Sequence, residues 1–263
     1  MPELLLVKLI ATPLLVGGAS IVARRWGPSI GGWIVSLPLT SGPILFFLAL
    51  EAGPAFAAAT TVGTLLGMGA ICGFTVGYLA GSGRGPWVAM AFATAGFVGV
   101  SLAVQPVVAA PYVLLVIGVV AAVTLVLRLL PRERIGRSAT PHPAWDLPAR
   151  IIVGTTLVVG LTAAAERLGA IPSGLAATFP AYVSVLAVFA HLHDGRPAAL
   201  GVLRGLLSGL FGTITFFVML HTLLVPAGIV PAFAAAIAGA LLVGGLGLRR
   251  VRARPVSAGL GRG

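Results

Sequence analysis

Charge is scarce in this chain, and acidic charge scarcer still: 9% of the 263 residues are Asp, Glu, Lys or Arg, and only six of those are acidic. A water-soluble domain carries about 25% charged residues to keep its surface wetted, so the chain has no polar coat to offer water. Cysteine is nearly missing. The single one, Cys72, can form no intrachain disulfide, and its apolar neighbours predict a small buried hydrophobe. The sequence also contains no G-x-x-x-x-G-K-[ST] phosphate loop, no H-E-x-x-H pair and no G-x-S-x-G elbow. Their absence argues against an enzyme and against an ATP-driven pump acting alone, and no cofactor or metal is expected.

What fills the sequence instead is apolar: 58% hydrophobic residues and a mean hydropathy of +1.08. Lipid is the solvent that suits this composition. A bilayer core about 30 Å thick takes roughly 20 apolar residues per helical span. Backbone groups in lipid must be satisfied within a helix or a closed barrel. Unbroken apolar runs such as Val113 to Leu127 select helices, because barrel strands alternate apolar and polar residues. The fold class expected is an all-α membrane protein of about nine transmembrane helices, at 4–23, 30–50, 55–81, 86–105, 109–130, 149–168, 172–193, 197–222 and 227–248. Turns are marked by Gly27-Pro28, Gly53-Pro54, Gly85-Pro86, Gln105-Pro106, Gly195-Arg196-Pro197 and Pro226, proline being tolerated where a helix begins. No cleavable signal is expected, since Met1-Pro2-Glu3 lacks a basic start.

The net charge of +11 suggests nucleic acid until its placement is read. Arg24, Arg25, Arg84, Arg132, Arg134, Arg137, Arg196, Arg249, Arg250, Arg252 and Arg254 fall in loops that nine spans put on one side. Glu3, Lys8, Glu51, Glu166 and Arg167 fall on the other. The positive-inside rule then puts the C-terminus in the cytoplasm and the N-terminus outside.

The chain also matches itself. Shifted by 142 positions, residues 7–54 align with 149–196 without a gap. Gly18, Arg25, Gly27, Gly32, Pro38 and Gly53 fall on Gly160, Arg167, Gly169, Gly174, Pro180 and Gly195, and Gly63, Gly67 and Phe74 fall on Gly205, Gly209 and Phe216. The match predicts a first four-helix unit at 1–108, a linking helix and basic loop at 109–148, a second unit at 149–250 and a basic tail at 251–263. Four spans plus one linking helix invert the second unit relative to the first, a recurring design of secondary transporters.

Two proline-broken segments at equivalent positions are the expected substrate-binding elements. The first holds Ser36, Pro38, Thr40 and Ser41; the second holds Thr178, Pro180, Tyr182 and Ser184. Proline inside a helix frees carbonyls that survive at membrane depth only against protein or a wet cavity. The alternative is a pair of Ser/Thr-stabilised kinks that only shape the bundle. Glu51, His191, His193, Asp194 and Arg204 are the candidate coupling groups, because intramembrane charge is costly and histidine titrates near neutrality. A cytoplasmic loop holding polar residues is the plainer account. His191 and His193, two apart, cannot share a helix face, so no paired metal site is expected.

Phe179-Pro180, and His191 followed four residues later by Gly195, give the 149–222 unit its resemblance to the GlpM-like small bacterial inner-membrane proteins. The first unit would be a diverged copy, with Leu37-Pro38 in place of Phe-Pro and Ala49 in place of the histidine. The resemblance implies residence in a bacterial plasma membrane and little about a substrate. Three functions fit this reading: a permease for a small solute, a flippase for a lipid or polyprenyl-linked headgroup using Arg24, Arg25 and Arg204, or a non-transporting partner in envelope assembly. Membrane lipids are the expected surroundings, a homodimer stays open, and no nucleic acid is expected.

Overall fold

The computed structural model describes residues 2–39, 41–131, 143–168 and 178–252, with side chains described over 12–39, 41–131, 143–161 and 178–247. Thr40, the basic loop 132–142, residues 169–177 with the start of the expected 172–193 span, and the tail from 253 lie outside the described residues, as do the side chains of Lys8, Glu166 and Arg167. Among the described residues the protein is all-helical, without a strand. The helices are α1 (Pro2–Trp26), α2 (Pro28–Ser36), α3 (Ser41–Glu51), α4 (Pro54–Gly81), α5 (Pro86–Ala103), α6 (Tyr112–Leu129), α7 (Asp146–Leu168), α8 (Ala181–Asp194), α9 (Arg196–Ala227) and α10 (Ile229–Arg252). Tight 3₁₀ turns at Ser82–Arg84 and Gln105–Ala109 join α4 to α5 and α5 to α6. Among the described residues, six segments are long and apolar enough to cross a membrane: Pro28–Glu51, Pro54–Arg84, Pro86–Ala103, Tyr112–Leu129, Arg196–Ala227 and Ile229–Gly247. Their outward side chains, among them Phe47, Phe56, Val113, Ile117 and Leu242, are large and exposed, which suits lipid and would aggregate in water.

Local chemistry explains where the helices start. Gly27, Gly53, Gly85, Gly195 and Gly228 stand before five of them with φ between 80° and 105°. With ψ near the extended value, this is backbone that only glycine adopts without strain. It reverses the chain in one residue. Pro28, Pro54 and Pro86 then open the next helix, where no donor is missed. The expected 30–50 span is two helices, α2 and α3, parted at Leu37-Pro38-Leu39. The turn expected at Pro226 falls two residues later, at Gly228. Pro226 sits in the last turn of α9, and Gly228 has the conformational freedom to reverse the chain. α7 begins at Asp146, three residues before its expected start, with the acid in its first turn and fully buried.

α9 is the axis of the bundle, packed by α2, α4, α6, α8 and α10. α4 packs in turn on α5, α6 and α3, while α1 packs on α7 and α2. The α4–α9 core buries Leu65, Phe74, Tyr78, Leu203, Leu207, Phe217 and Leu220. A smaller cluster of Val16, Val185 and Phe189 lies where α1, α7 and α8 meet. α4 and α9 run antiparallel: Thr61, early in α4, touches His221, late in α9, while Ser82, just past α4, touches Arg196, the first residue of α9. Small residues let the axes approach. A Cβ on Gly32 would lie 2.0 Å from the Val202 carbonyl, and one on Gly205 would lie 1.8 Å from that of Ser29, so α2 and α9 touch backbone to backbone.

Gly205→Ala must therefore push α2 off α9. Overpacking of this kind costs about 1–3 kcal/mol, read as a lower Tm of the purified protein in detergent. Gly63→Ala, with open space around the added methyl, should leave Tm unchanged or slightly raised. Equal Tm for the two variants would refute the close crossing.

Candidate functional site

Both proline breaks are present, and each is stitched by its own hydroxyls. At the first, Leu37 N–H donates to Ile34 O (3.1 Å) and Gly42 N–H to Pro38 O (2.9 Å). Ser36 Oγ donates to Trp33 O at 2.6 Å, and the Ser36 carbonyl accepts from Thr213 Oγ1 on α9. Trp33 Nε1 donates to Gly244 O of α10 at 3.1 Å. At the second, Ser184 returns both its N–H and its Oγ to Pro180 O, each at 3.0 Å. The Tyr182 hydroxyl lies 3.4 Å from Thr12 Oγ1 on α1, and Phe179 packs edge-on against Phe74 and Phe97. Ser41 and Tyr182 are half-buried, while Ser36 and Ser184 are buried. Ser36 thus meets α9 and Thr178 meets α4, where a Cβ on Gly67 would lie 3.2 Å from that of Thr178.

The densest charge lies elsewhere. Asp146, the first residue of α7, has no exposed side-chain surface. Its Oδ2 accepts from Arg24 at the end of α1 and from Arg150 Nε, one turn further along α7, at 2.9 Å. Its Oδ1 lies 2.9 Å from His193 Nε2 near the end of α8. The Arg150 guanidinium is 4% exposed and sits over the Phe189 ring at 5.1 Å; the Trp145 ring flanks His193 at 5.7 Å. A carboxylate stripped of water is tolerable only with this complement of cations and donors, and the positive end of the α7 dipole adds to it. Beside the network lies a cavity of about 20 Å³, bordered by Arg24, Arg150 and Asp194 with Pro28, Ala190 and Val202. It has room for about one water.

The remaining polar side chains tie helix ends together. Tyr78 on α4 donates to Ala187 O at 3.3 Å and lies 3.1 Å from His191 Nδ1 on α8. His191 therefore faces α4 while His193 faces α7, as their spacing predicts. Arg196 Nε donates to Ser82 Oγ at 2.8 Å. Arg204 reaches from α9 to the carbonyls of Leu127, Leu130 and Pro131, the orphan acceptors at the end of α6. At the opposite end of the bundle, His221 stacks on Tyr112 with centroids 3.6 Å apart, its Nδ1 within 3.1 Å of Thr61 Oγ1 and Ala58 O. Glu51 ends α3, exposed.

Of the expected site residues, the structure gathers His193 and Asp194 at the Asp146 network, while His191, Arg204, Glu51 and the two breaks stand apart from it. Sequence reading passed over Asp146 and Arg150. Their signal was there: an acid followed four residues later by a base, opening an apolar span. Arg24, expected to be chiefly a determinant of orientation, is also a partner of Asp146.

No protein-family model, curated protein or solved structure matches this chain. Function must be read from the geometry alone. That geometry offers satisfied breaks, a buried ion network and a one-water cavity.

Asp146→Ala would leave Arg150 buried without its carboxylate, a loss of about 3–5 kcal/mol, read as early heat-induced aggregation by size-exclusion chromatography. Arg204→Lys keeps the charge but replaces a planar fork with a single ammonium. It should destabilise by about 1–2 kcal/mol; wild-type stability in that variant would refute the capping role.

Proposed function

We propose that the chain is a secondary permease, built from two inverted four-helix units that alternately expose a site for a small solute on the two sides of a bacterial plasma membrane. The observation that carries this reading is a reciprocal contact. Gly67 of the first unit packs on Thr178 of the second, and Gly209 of the second packs on Ser36 of the first. Both partners are displaced by the same 142 residues. Contacts in which i meets j and j's counterpart meets i's are the mark of a two-fold relation. Further equivalences support it: Gly53 and Gly195 share the positive φ, as do Gly85 and Gly228, one residue further apart than the 142-residue displacement. At that same displacement of 143, Ala89 and Ala93 of α5 and Ala232 and Ala236 of α10 are all fully buried.

The hand of the relation follows from the antiparallel run of α4 and α9, which are equivalent helices. α1 and α7, also equivalent, meet end to start through Arg24 and Asp146. Equivalent elements pointing in opposite directions favour inversion over a parallel repeat. Inverted halves that cross through each other's broken helices are the architecture in which rocking moves a site from one face to the other. The breaks, with Ser36, Ser41, Thr178 and Tyr182, are the elements we assign to solute, and Thr40 joins them from the sequence alone. We place the C-terminus in the cytoplasm, with the charged end of the bundle. The headgroup-flippase reading is weakened by Arg24 and Arg204 being engaged inside the protein. The likeness to GlpM-like proteins adds an expectation of membrane residence only.

Reporter fusions after residues 24 and 167 should report opposite compartments; the same compartment for both would remove the inversion and the permease with it. Proteoliposomes tested with a panel of labelled amino acids, carboxylates and sugars should accumulate one class. Ser41→Ala and Tyr182→Phe should each slow that uptake about tenfold, the equivalent of one hydrogen bond of about 1.4 kcal/mol. If uptake is found and neither change alters its rate or affinity, the breaks do not hold the solute.

A further inference from the structure

The Asp146 network joins the two proposed units at one end only. Arg24 belongs to α1 of the first unit, whereas Asp146, Arg150 and His193 belong to α7 and α8 of the second. The cavity beside it has walls from both: Arg24 and Pro28 on one side, Arg150, Ala190, Asp194 and Val202 on the other. At the far end the cross-unit link given by the described residues is of another kind, with His221 resting on Tyr112 and bonded to Thr61 and Ala58. We propose that Arg24–Asp146–Arg150–His193 is an ionic latch that holds the charged end of the bundle shut, and that the one-water cavity behind it is the collapsed remnant of a vestibule that widens when the latch parts.

Three features favour a latch over a static brace. Arg24 is the most exposed member, at 27% of its side-chain surface, and it is the one that crosses between units. Asp146 keeps Arg150 and His193 when Arg24 leaves, so opening does not strand a bare buried carboxylate. Three of the walls behind the latch, Ala23, Pro28 and Ala190, are small, with Leu186 and Val202 the larger apolar ones. The inference rests on the two-unit reading above, but its test needs no solute.

The test uses the full chain in nanodiscs with Cys72→Ser removing the lone thiol, and Ala190→Cys as reporter behind the latch; Ala190 is 4% exposed. A second reporter, Ala58→Cys, sits at the far end beside His221, at 6% exposed. Labelling rates with a small charged methanethiosulfonate are compared across variants. Arg24→Gln should raise labelling at 190 about tenfold, the equilibrium shift expected for one charge-assisted bond, and leave labelling at 58 unchanged or slower. Arg24→Lys should stay within about twofold of wild type, because it keeps the charge that Asp146 pairs with. Arg25→Gln, whose parent guanidinium lies over Trp26 rather than in the network, should do nothing. Arg24→Met, which keeps the apolar stem and removes the charge, breaks the same Arg24–Asp146 contact should Arg24→Gln fail to fold. Unchanged labelling at 190 would overturn the latch, and so would a parallel rise at 190 and 58, which would mean general loosening. Either result leaves the reporter-fusion outcome untouched, so the latch and the permease fail separately.

Discussion

Hydrocarbon supplies no hydrogen bonds, so every polar group this chain carries into the bundle has to find its partner in the protein. The constraint is visible along α4, α6 and α9. Thr61 returns its hydroxyl to Ala58 O, Thr75 to Ile71 O, Thr124 to Val120 O, Ser208 to Gly205 O and Thr215 to Phe211 O, each using a carbonyl one turn back on its own helix. Where the backbone breaks, the same solution reaches further. Ser36 donates within its own turn, Leu37 N–H takes the Ile34 carbonyl that Pro38 cannot reach, and Thr213 comes across from α9 to take the Ser36 carbonyl left at the end of α2. Arg204 does for the end of α6 what a capping motif does in water.

Close approach of the axes is the second consequence. Lipid tails are as apolar as leucine, so burial gives little preference for helix on helix, and contact has to come from shape. Gly32, Gly205 and Gly209 remove the side chains that would hold α2 away from α9, and Gly73, Gly77 and Gly96 do the same between α4 and α5. The α2–α9 seam lies between the two proposed units, whereas the α4–α5 seam lies within the first.

These two constraints separate what the sequence reveals from what it conceals. A glycine before a proline is local, and it located the starts of α2, α4 and α5 in advance. Pro38 and Pro180 are local as well, and both breaks stand where they were expected. The six apolar segments found among the described residues fall on expected spans, while Pro226 misled because a proline in a last turn ends nothing by itself. The Asp146 network was hidden for the opposite reason. Its partners stand 122 and 47 residues away, and a lone acid beside a run of arginines looks like a wetted loop until α1 and α8 are seen to close over it. Function is the least legible part, since hydroxyls that satisfy a break and hydroxyls that bind a ligand are the same residue types at the same places.

The register of the internal match shows why the two ends of the bundle differ. Displaced by 142 residues, Arg24, Arg150 and His193 correspond to Glu166, Lys8 and Glu51, and Asp146 corresponds to Leu4. The carboxylate at the centre of the charged end has an apolar counterpart, so the opposite end cannot be closed by the same interaction, whatever the backbone symmetry. In the two-unit reading proposed above, halves closed by unlike contacts rest in forms of unequal energy, and anything that binds one form better shifts the balance toward it. The inequality sets the resting side of the bundle, whereas the direction of net movement through such a device is set by the gradients across the membrane.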